Sequence, residues 1–281
     1  MGKRGLLLFV ILLFAVNLVV LSMLVFTSRR SLTVSFLSVG QGDAIFIETP
    51  AGKQVLIDGG PDRSVLRELT KQMGPLDRSI DIVVATHPDK DHIAGLADVF
   101  DRYQVSMFLE PGIASDTSYA QALRHGVSVE TDLEHLEARR GMRIHIENAL
   151  YMDVLFPDRE VDSIETNTGS IVLRLVHGEN EFLFTGDAPL SVEDWLVMLD
   201  GGELASNVLK AGHHGSRTST GEILLNATDP QYVVISAGVG NSYGHPHEEV
   251  VERIRMHGAT LLSTMDGPVS FVSDGKTLKV K

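Results

Sequence analysis

Four times along this chain, an apolar run with the composition of a buried strand ends abruptly in acids and imidazoles. Ile82-Val-Val-Ala85 runs into Thr86-His-Pro-Asp-Lys-Asp-His92, and Phe182-Leu-Phe-Thr185 runs into Gly186-Asp187. Val208-Leu-Lys-Ala-Gly212 runs into His213-His214, and Val233-Val-Ile-Ser-Ala-Gly238 leads to Asn241-Ser-Tyr-Gly-His-Pro-His247. Short apolar, β-branched runs read as strands covered on both faces. Polar groups that recur just past strand ends gather at one edge of an α/β sheet, where ligands and catalysts sit. That pattern confines the chain to α/β folds that carry a site at a sheet edge.

The first cluster puts His87, Asp89, Asp91 and His92 within six residues. Imidazole suits zinc, and carboxylate suits harder ions such as manganese and magnesium. Taken alone, the loop reads equally as a strand cap, with Asp91 as N-cap of a helix starting near His92. The three later clusters weigh against that plainer reading. Cysteine is absent, so a metal site must be built from histidine, aspartate and water.

The element pattern is strand-rich early and alternating later. Residues 32–38, 44–49 and 54–57 read as strands, with a turn at 50–53 between the second and third. A helix is expected over 62–73, a strand at 82–85, a helix from about 92 to 103 and a strand at 105–109. Residues 111–141 read as helix and loop, and 142–146 and 151–156 as strands. The polar stretch 157–168 reads as an active-site loop or lid. Further strands are expected at 170–176, 181–185, 206–210, 231–236 and 259–263, with helices near 190–200, 218–226 and 247–257. A last hairpin turns at Asp274-Gly275.

Gly5 to Phe26 is an uncharged run of 22 residues. As a helix, at ~1.5 Å per residue, it matches a hydrocarbon core of ~30 Å. Lys3 and Arg4 precede it and Arg29 and Arg30 follow it. No Ala-x-Ala type cleavage site precedes Ser31, which favours an uncleaved anchor over a signal peptide. Residues 1–30 are therefore read as a single-pass membrane anchor and 31–281 as one domain. That domain holds 20 basic and 37 acidic residues, a formal charge of −17. Such a background opposes general DNA affinity, which depends on Lys and Arg neutralising phosphates. Near the expected ligands only Lys90, Lys210 and Arg217 offer positive charge, while Arg139, Arg140 and Arg143 read as a solvated helix end.

Seven blocks occur in a familiar order: Val39-Gly-Gln-Gly-Asp-Ala44, Leu56-Ile-Asp-Gly-Gly60, Thr86 to His92, Asn167-Thr-Gly-Ser170, Phe184-Thr-Gly-Asp187, His213-His-Gly-Ser216 and Asn241-Ser-Tyr-Gly-His-Pro246. In these the chain resembles the metallo-β-lactamase superfamily. More narrowly, over residues 32–281, it resembles the metallo-β-lactamase-like domain at the C-terminal end of ComEC-type competence proteins. The resemblance implies a four-layer αβ/βα sandwich, here preceded by one transmembrane helix. It implies two divalent ions, Zn or Mn. His87 and Asp89 would hold the first, Asp91 and His92 the second, Asp187 would bridge them, and either His213 or His214 would be the last ligand.

The chain departs from the wider family twice. Position 89 is Asp where the wider pattern has His, and no histidine between 92 and 187 fits the intermediate ligand, a place taken in block order by Asn167, Thr168 or Ser170. The first metal then has fewer nitrogens, so zinc should bind it less tightly and manganese or magnesium better. By the same resemblance, His245 is a general acid or phosphate contact, and Asp91 belongs to the catalytic group. Asp58 reads as orienting a ligand imidazole or as a turn residue, and Asp43 and Gln41 read first as turn residues. Asp43, Asp58, Asn167 and Ser216 are grouped as ligand supports or substrate contacts.

The implied function is a membrane-anchored, metal-dependent phosphodiesterase or nuclease, acting on single-stranded or duplex DNA outside the cytoplasm, either beside a separate channel protein or alone. A hydrolase of smaller envelope phosphodiesters is the alternative. A non-catalytic binding module is a third reading, supported by the missing histidine.

Overall fold

The computed structural model describes residues 2–28, 31–74 and 76–281. Helix α1 (Lys3–Ser28) carries the apolar run and is long and apolar enough to cross a membrane. Its large apolar side chains from Leu7 to Leu21 are exposed. Arg29 and Arg30, the expected basic flank, lie outside the described residues.

From Leu32 the chain builds two sheets by the same plan. β1 (Leu32–Phe36), β2 (Ile45–Glu48) and β3 (Gln54–Ile57) form an antiparallel meander. β4 (Ser79–Val84), β5 (Gln104–Glu110) and β6 (Glu134–Glu137) then add in parallel beside β3. Parallel neighbours need crossovers, which are α2 (Ser64–Gln72), α3 (Lys90–Arg102) and α4 (Ser118–Val129). The second sheet begins with the meander β7 (Arg143–Glu147), β8 (Leu150–Phe156), β9 (Val172–His177) and β10 (Asn180–Phe184). β11 (Val208–Lys210), β12 (Tyr232–Ile235) and β13 (Thr260–Ser263) follow in parallel. Their crossovers are α5 (Leu190–Asp200), α6 (Glu222–Thr228) and α7 (Glu248–His257). The hairpin β14 (Val269–Ser273) and β15 (Leu278–Val280) returns to the first sheet, where Ser270 pairs opposite Ser35.

The strand sequences explain the layering. Ile82 and Val84 of β4 point between the sheets, toward Leu173, Phe182, Phe184 and Phe271. Val83 points the other way, into a layer with Leu69, Leu96 and Val99 of α2 and α3. A strand buried on both faces must be apolar at every position, which is why this run does not alternate. On the second sheet Leu183, Leu209 and Val233 meet Val192, Leu196, Leu225 and Ile254 of the outer helices. The layers run helix, sheet, sheet, helix.

Two expectations are corrected. Residues 111–141 contain the strand β6 as well as a helix. Arg139, Arg140 and Arg143 do not end a helix. Arg139 and Arg140 lie between β6 and β7 and Arg143 opens β7, paired with Glu137, Asp200 and Asp153 respectively.

Candidate metal centre

The ligand-type residues meet at one edge of the two sheets, on loops that leave β1, β3, β4, β10, β11 and β12. The N-terminus of α3 is seated by close backbone approaches. A Cβ on Gly42 would lie 2.1 Å from the Asp91 carbonyl oxygen, and one on Gly95 would lie 2.1 Å from the Gly59 carbonyl oxygen. Main-chain bonds from Asp43 N–H to Asp91 O (3.2 Å) and from Gly59 N–H to His92 O (2.7 Å) lock the seat. Asp89, not Asp91, occupies the N-cap position of α3, and the helix begins at Lys90, two residues before the expected start, so Asp91 and His92 both lie in its first turn. His213 and His214 sit in a tight turn between Gly212 and Gly215 with φ of 47° and 55°, and Asp58 has φ of 60°. Left-handed backbone at non-glycine residues costs roughly 1–2 kcal/mol each. Here it falls at the cluster, where strain is held by surrounding contacts.

Two imidazoles face each other at the centre, with His92 Nε2 3.3 Å from His214 Nε2. Behind them, His92 Nδ1 donates to Asp58 Oδ2 at 2.8 Å and His214 Nδ1 donates to the Ser236 carbonyl at 2.9 Å. Carboxylate and carbonyl oxygens only accept, so both protons are fixed on Nδ1 and both Nε2 atoms turn inward. Around that pair Asp91 Oδ2 is 3.2 Å from His214 Nε2, and Asp187 reaches His92 and His214 with one oxygen each at 3.4 Å. Asp58 also accepts from the Thr86 N–H and hydroxyl, and so ties β3 to the β4 loop. Below lies Lys210, a fully buried ammonium 2.5 Å from Asp43 Oδ2 and 2.7 Å from the Gly186 carbonyl. To one side His87 is fully buried with its Nε2 unpartnered, 3.7 Å from Asp89 Oδ2.

The electrostatics describe a site made for positive charge. Burial opposes charge on His92 and His214, yet Asp187, with Asp58 beside one ring and Asp43 beside the other, holds both well above the ordinary imidazole range. Burial likewise opposes ionisation of Asp187, and His214, His92 and Lys210 outweigh it, keeping this carboxyl well below its usual range. Burial of Asp91 is outweighed in the same way by its hydrogen bond to His214, which lowers it to about 2. His87 is pushed well below the usual range by burial and by His92, so it presents a neutral ring with a free lone pair. Inward Nε2 atoms with locked outer nitrogens, an orphaned buried His87 Nε2 and ionised carboxylates together fit divalent metal ions. Asp43, His92, Asp187 and His214 carry ligand-type atoms within 4.8 Å of one another. Asp43, however, is spent on Lys210 and faces the Nδ1 sides of the two rings, at 3.7 and 3.5 Å, whereas Asp91 faces the Nε2 side of His214.

The remaining expected residues are placed as follows. His213 is partly exposed, 3.7 Å from Asp187 Oδ2, with its Nδ1 beside the Thr218 hydroxyl. His245 lies 5.5 Å ring to ring from His213 and 6.3 Å from His214, with Nδ1 unpartnered. Burial, then His213, His214 and His247, lower it to about 4, so the ring is neutral at pH 7. His247 is the N-cap residue of α7, and its Nδ1 accepts from Arg217 N–H. Asn167 keeps a buried, unpartnered Oδ1 in a short turn, while Ser216 is buried and bonded to Thr218. The turn reading of Asp43 is corrected, since it touches Lys210 and both central imidazoles; Gln41 does brace a turn, accepting from Gly238 N–H. Lys210 is corrected too, because it lies sealed under the site and is unavailable to a phosphate.

Two sheets in αβ/βα layers with a histidine–aspartate cluster at their shared edge define a class. Residues 37–239 match the Metallo-beta-lactamase superfamily, and the chain belongs to that family. Within it the similarity is to competence proteins. The chain is 31% identical over 253 residues to "ComE operon protein 3" of Bacillus subtilis, covering 82% of this chain and 31% of that protein. It is 32% identical over 241 residues to "Competence protein ComA" of Neisseria gonorrhoeae, covering 85% of this chain and 32% of that protein. It thus spans about a third of the length of these relatives. Among solved structures, the metallo hydrolase Igni18 of Ignicoccus hospitalis superposes with a TM-score of 0.56 at 17% identity, over 85% of this chain and 98% of that one. YhfI of Bacillus subtilis gives 0.54 at 10% identity, over 83% and 95%. Likeness at these identities establishes the fold.

Proposed function

We propose that this chain is a metal-dependent phosphodiesterase that degrades DNA outside the cytoplasm, held at the membrane by α1 and working beside a separate channel protein. The observation that carries it is the pair of inward-turned Nε2 atoms, His92 and His214, between Asp91 and Asp187. DNA as the substrate rests on the resemblance to ComEC-type competence proteins, with which the similarity to "Competence protein ComA" agrees. His92, His214, Asp91 and Asp187 would hold one divalent ion, and His87 with Asp89 and Asp187 a second, weaker one. His213 then stands beside the ligands rather than among them. The ions supply Lewis acidity toward a phosphoryl oxygen and toward water.

The chain itself does the positioning. Asp58 and Ser236 hold the rings at fixed tautomer, and Lys210 fixes Asp43 and Asp187 from below. His245, neutral and beside His213 and His214, would contact the phosphate and take up a proton from solvent there, since an adjoining oxyanion raises an imidazole. It then returns that proton to the leaving oxygen. The formal charge of −17 beyond the anchor favours a second reading, a smaller envelope phosphodiester.

The test is the full chain in detergent, with Mn²⁺ or Zn²⁺, on single-stranded DNA and on bis-p-nitrophenyl phosphate. Metal-dependent DNA degradation that disappears in Asp91→Ala and Asp187→Ala is expected. Cleavage of the small diester alone would move the assignment to envelope phosphoesters. Full activity in either variant would overturn the metal-centre reading.

A further inference from the structure

The mechanism above leaves one fully buried carboxylate unused. Glu193 lies in the first turn of α5, six residues beyond Asp187, with no exposed surface. Its two oxygens accept from the backbone N–H groups of Thr220 at 2.6 Å and Gly221 at 2.8 Å. Thr220 has a left-handed backbone, φ 56°, and its hydroxyl accepts from Gly212 N–H at 2.9 Å. Gly212 directly precedes the His213–His214 turn. A Cβ there would meet the Ser219 side chain at 2.8 Å and Glu193 Oε1 at 3.3 Å, so no side chain fits between turn and carboxylate. Two further bonds join the same segments: Ser219 hydroxyl to Ala188 carbonyl at 2.8 Å, and Leu190 N–H to Thr218 carbonyl at 2.8 Å. Glu193 therefore lies where the Asp187 loop and the His213–His214 loop are fastened together.

We propose that Glu193 is a positioning residue whose negative charge clamps the 216–221 segment, and through it sets the His213–His214 turn for divalent-ion binding. A carboxylate is suited to this because it receives two N–H groups at once, each bond stronger for being charge-assisted. A neutral carboxyl or an amide presents only one good acceptor and turns a donor toward the other N–H. The groups facing it are few. Asp194 on its own helix disfavours the charge, and Arg253 of α7, which donates to the Thr220 carbonyl at 2.8 Å, favours it. Burial dominates and pushes Glu193 up to about 7. The clamp therefore sits near its own ionisation at neutral pH.

The metal half of this proposal rests on the function proposed above, so its test is divided. Full-length wild type and Glu193→Gln are compared for Mn²⁺ affinity by calorimetry around pH 8 and around pH 6, and for amide hydrogen exchange over residues 212–221. Around pH 8 the variant should bind Mn²⁺ about tenfold more weakly, the difference between charge-assisted and neutral hydrogen bonds. Around pH 6 the gap should close, because Glu193 is then neutral in the wild type as well. Protection at Thr220 and Gly221 should fall in the variant around pH 8 and not around pH 6. An affinity gap of equal size at both pH values, or none at either, would overturn the proposal. If the wild type bound no ion, the metal-centre reading would fail by itself. The clamp would then be decided by exchange alone, and unchanged protection in Glu193→Gln would end it.

Discussion

Removing the ammonium of Lys210 would leave Asp43 and Asp187 charged in a space closed to water. Stranding a buried charge in this way costs about 3–5 kcal/mol, far more than the pair contributes as a pair. Lys210→Met, which keeps most of the volume, is therefore expected to lower the urea midpoint sharply. The double variant Asp43→Asn with Lys210→Met should lose less than the sum of the two single losses. Simple additivity in that cycle would mean the two groups do not compensate one another. Glu193 shows the opposite use of a buried acid, one that meets only backbone N–H groups at close range and is raised by burial to about 7. Lys210 and Glu193 are both buried.

Helix α3 carries two of the expected ligands and touches the sheet through glycine. Gly95 lies against the Gly59 and Asp62 carbonyl oxygens, where a Cβ would meet them at 2.1 and 2.5 Å. Gly95→Ala must push α3 away from the loop after β3, a type of overpacking that costs typically ~1–3 kcal/mol. His92 would move with the helix, so Mn²⁺ affinity should fall along with stability. Unaltered affinity in a destabilised Gly95→Ala would show that the seat of α3 does not set the ligand geometry.

Much at this scale was legible in the sequence. The apolar runs before residues 86, 186, 212 and 238 are strands, and the polar blocks after them do meet. The strand β6 was not legible, because Glu134-His-Leu-Glu137 is a polar edge held by main-chain bonds to β5. Nor could spacing choose between His213 and His214, since the choice depends on two successive left-handed residues. The one readable trace of the buried ion pair was a lysine inside the apolar strand Val208-Leu-Lys210. Glu193 left no trace at all, because an acid in the first turn of a helix is ordinary on sequence grounds.

Across the whole molecule, charge sets how any nucleic acid could be held. With Lys210 sealed, the loops after β4, β10, β11 and β12 expose only Lys90 and Arg217 as cations, and Arg217 is 3.5 Å from Glu249. Single-stranded DNA binding should then respond weakly to salt, with a slope of log affinity against log salt near −1.4 for two phosphate contacts. Fluorescence anisotropy between low and moderate salt measures it. A slope of −4 or steeper would place the DNA on a basic surface away from these loops and refute the two-contact picture.

The pairing of β1 with β14 has a temporal side. The Ser35 hydroxyl meets that of Ser270 across a separation of 235 residues. While the ribosome is still making the intervening chain, β1 has β2 on one side and an unfilled row of peptide groups on the other. Contacts so distant in sequence form slowly, and an open strand edge meanwhile invites pairing with a foreign strand. The first sheet thus waits on a segment translated long after it, and the nascent protein passes through a stage in which its meander is built and its flank is bare.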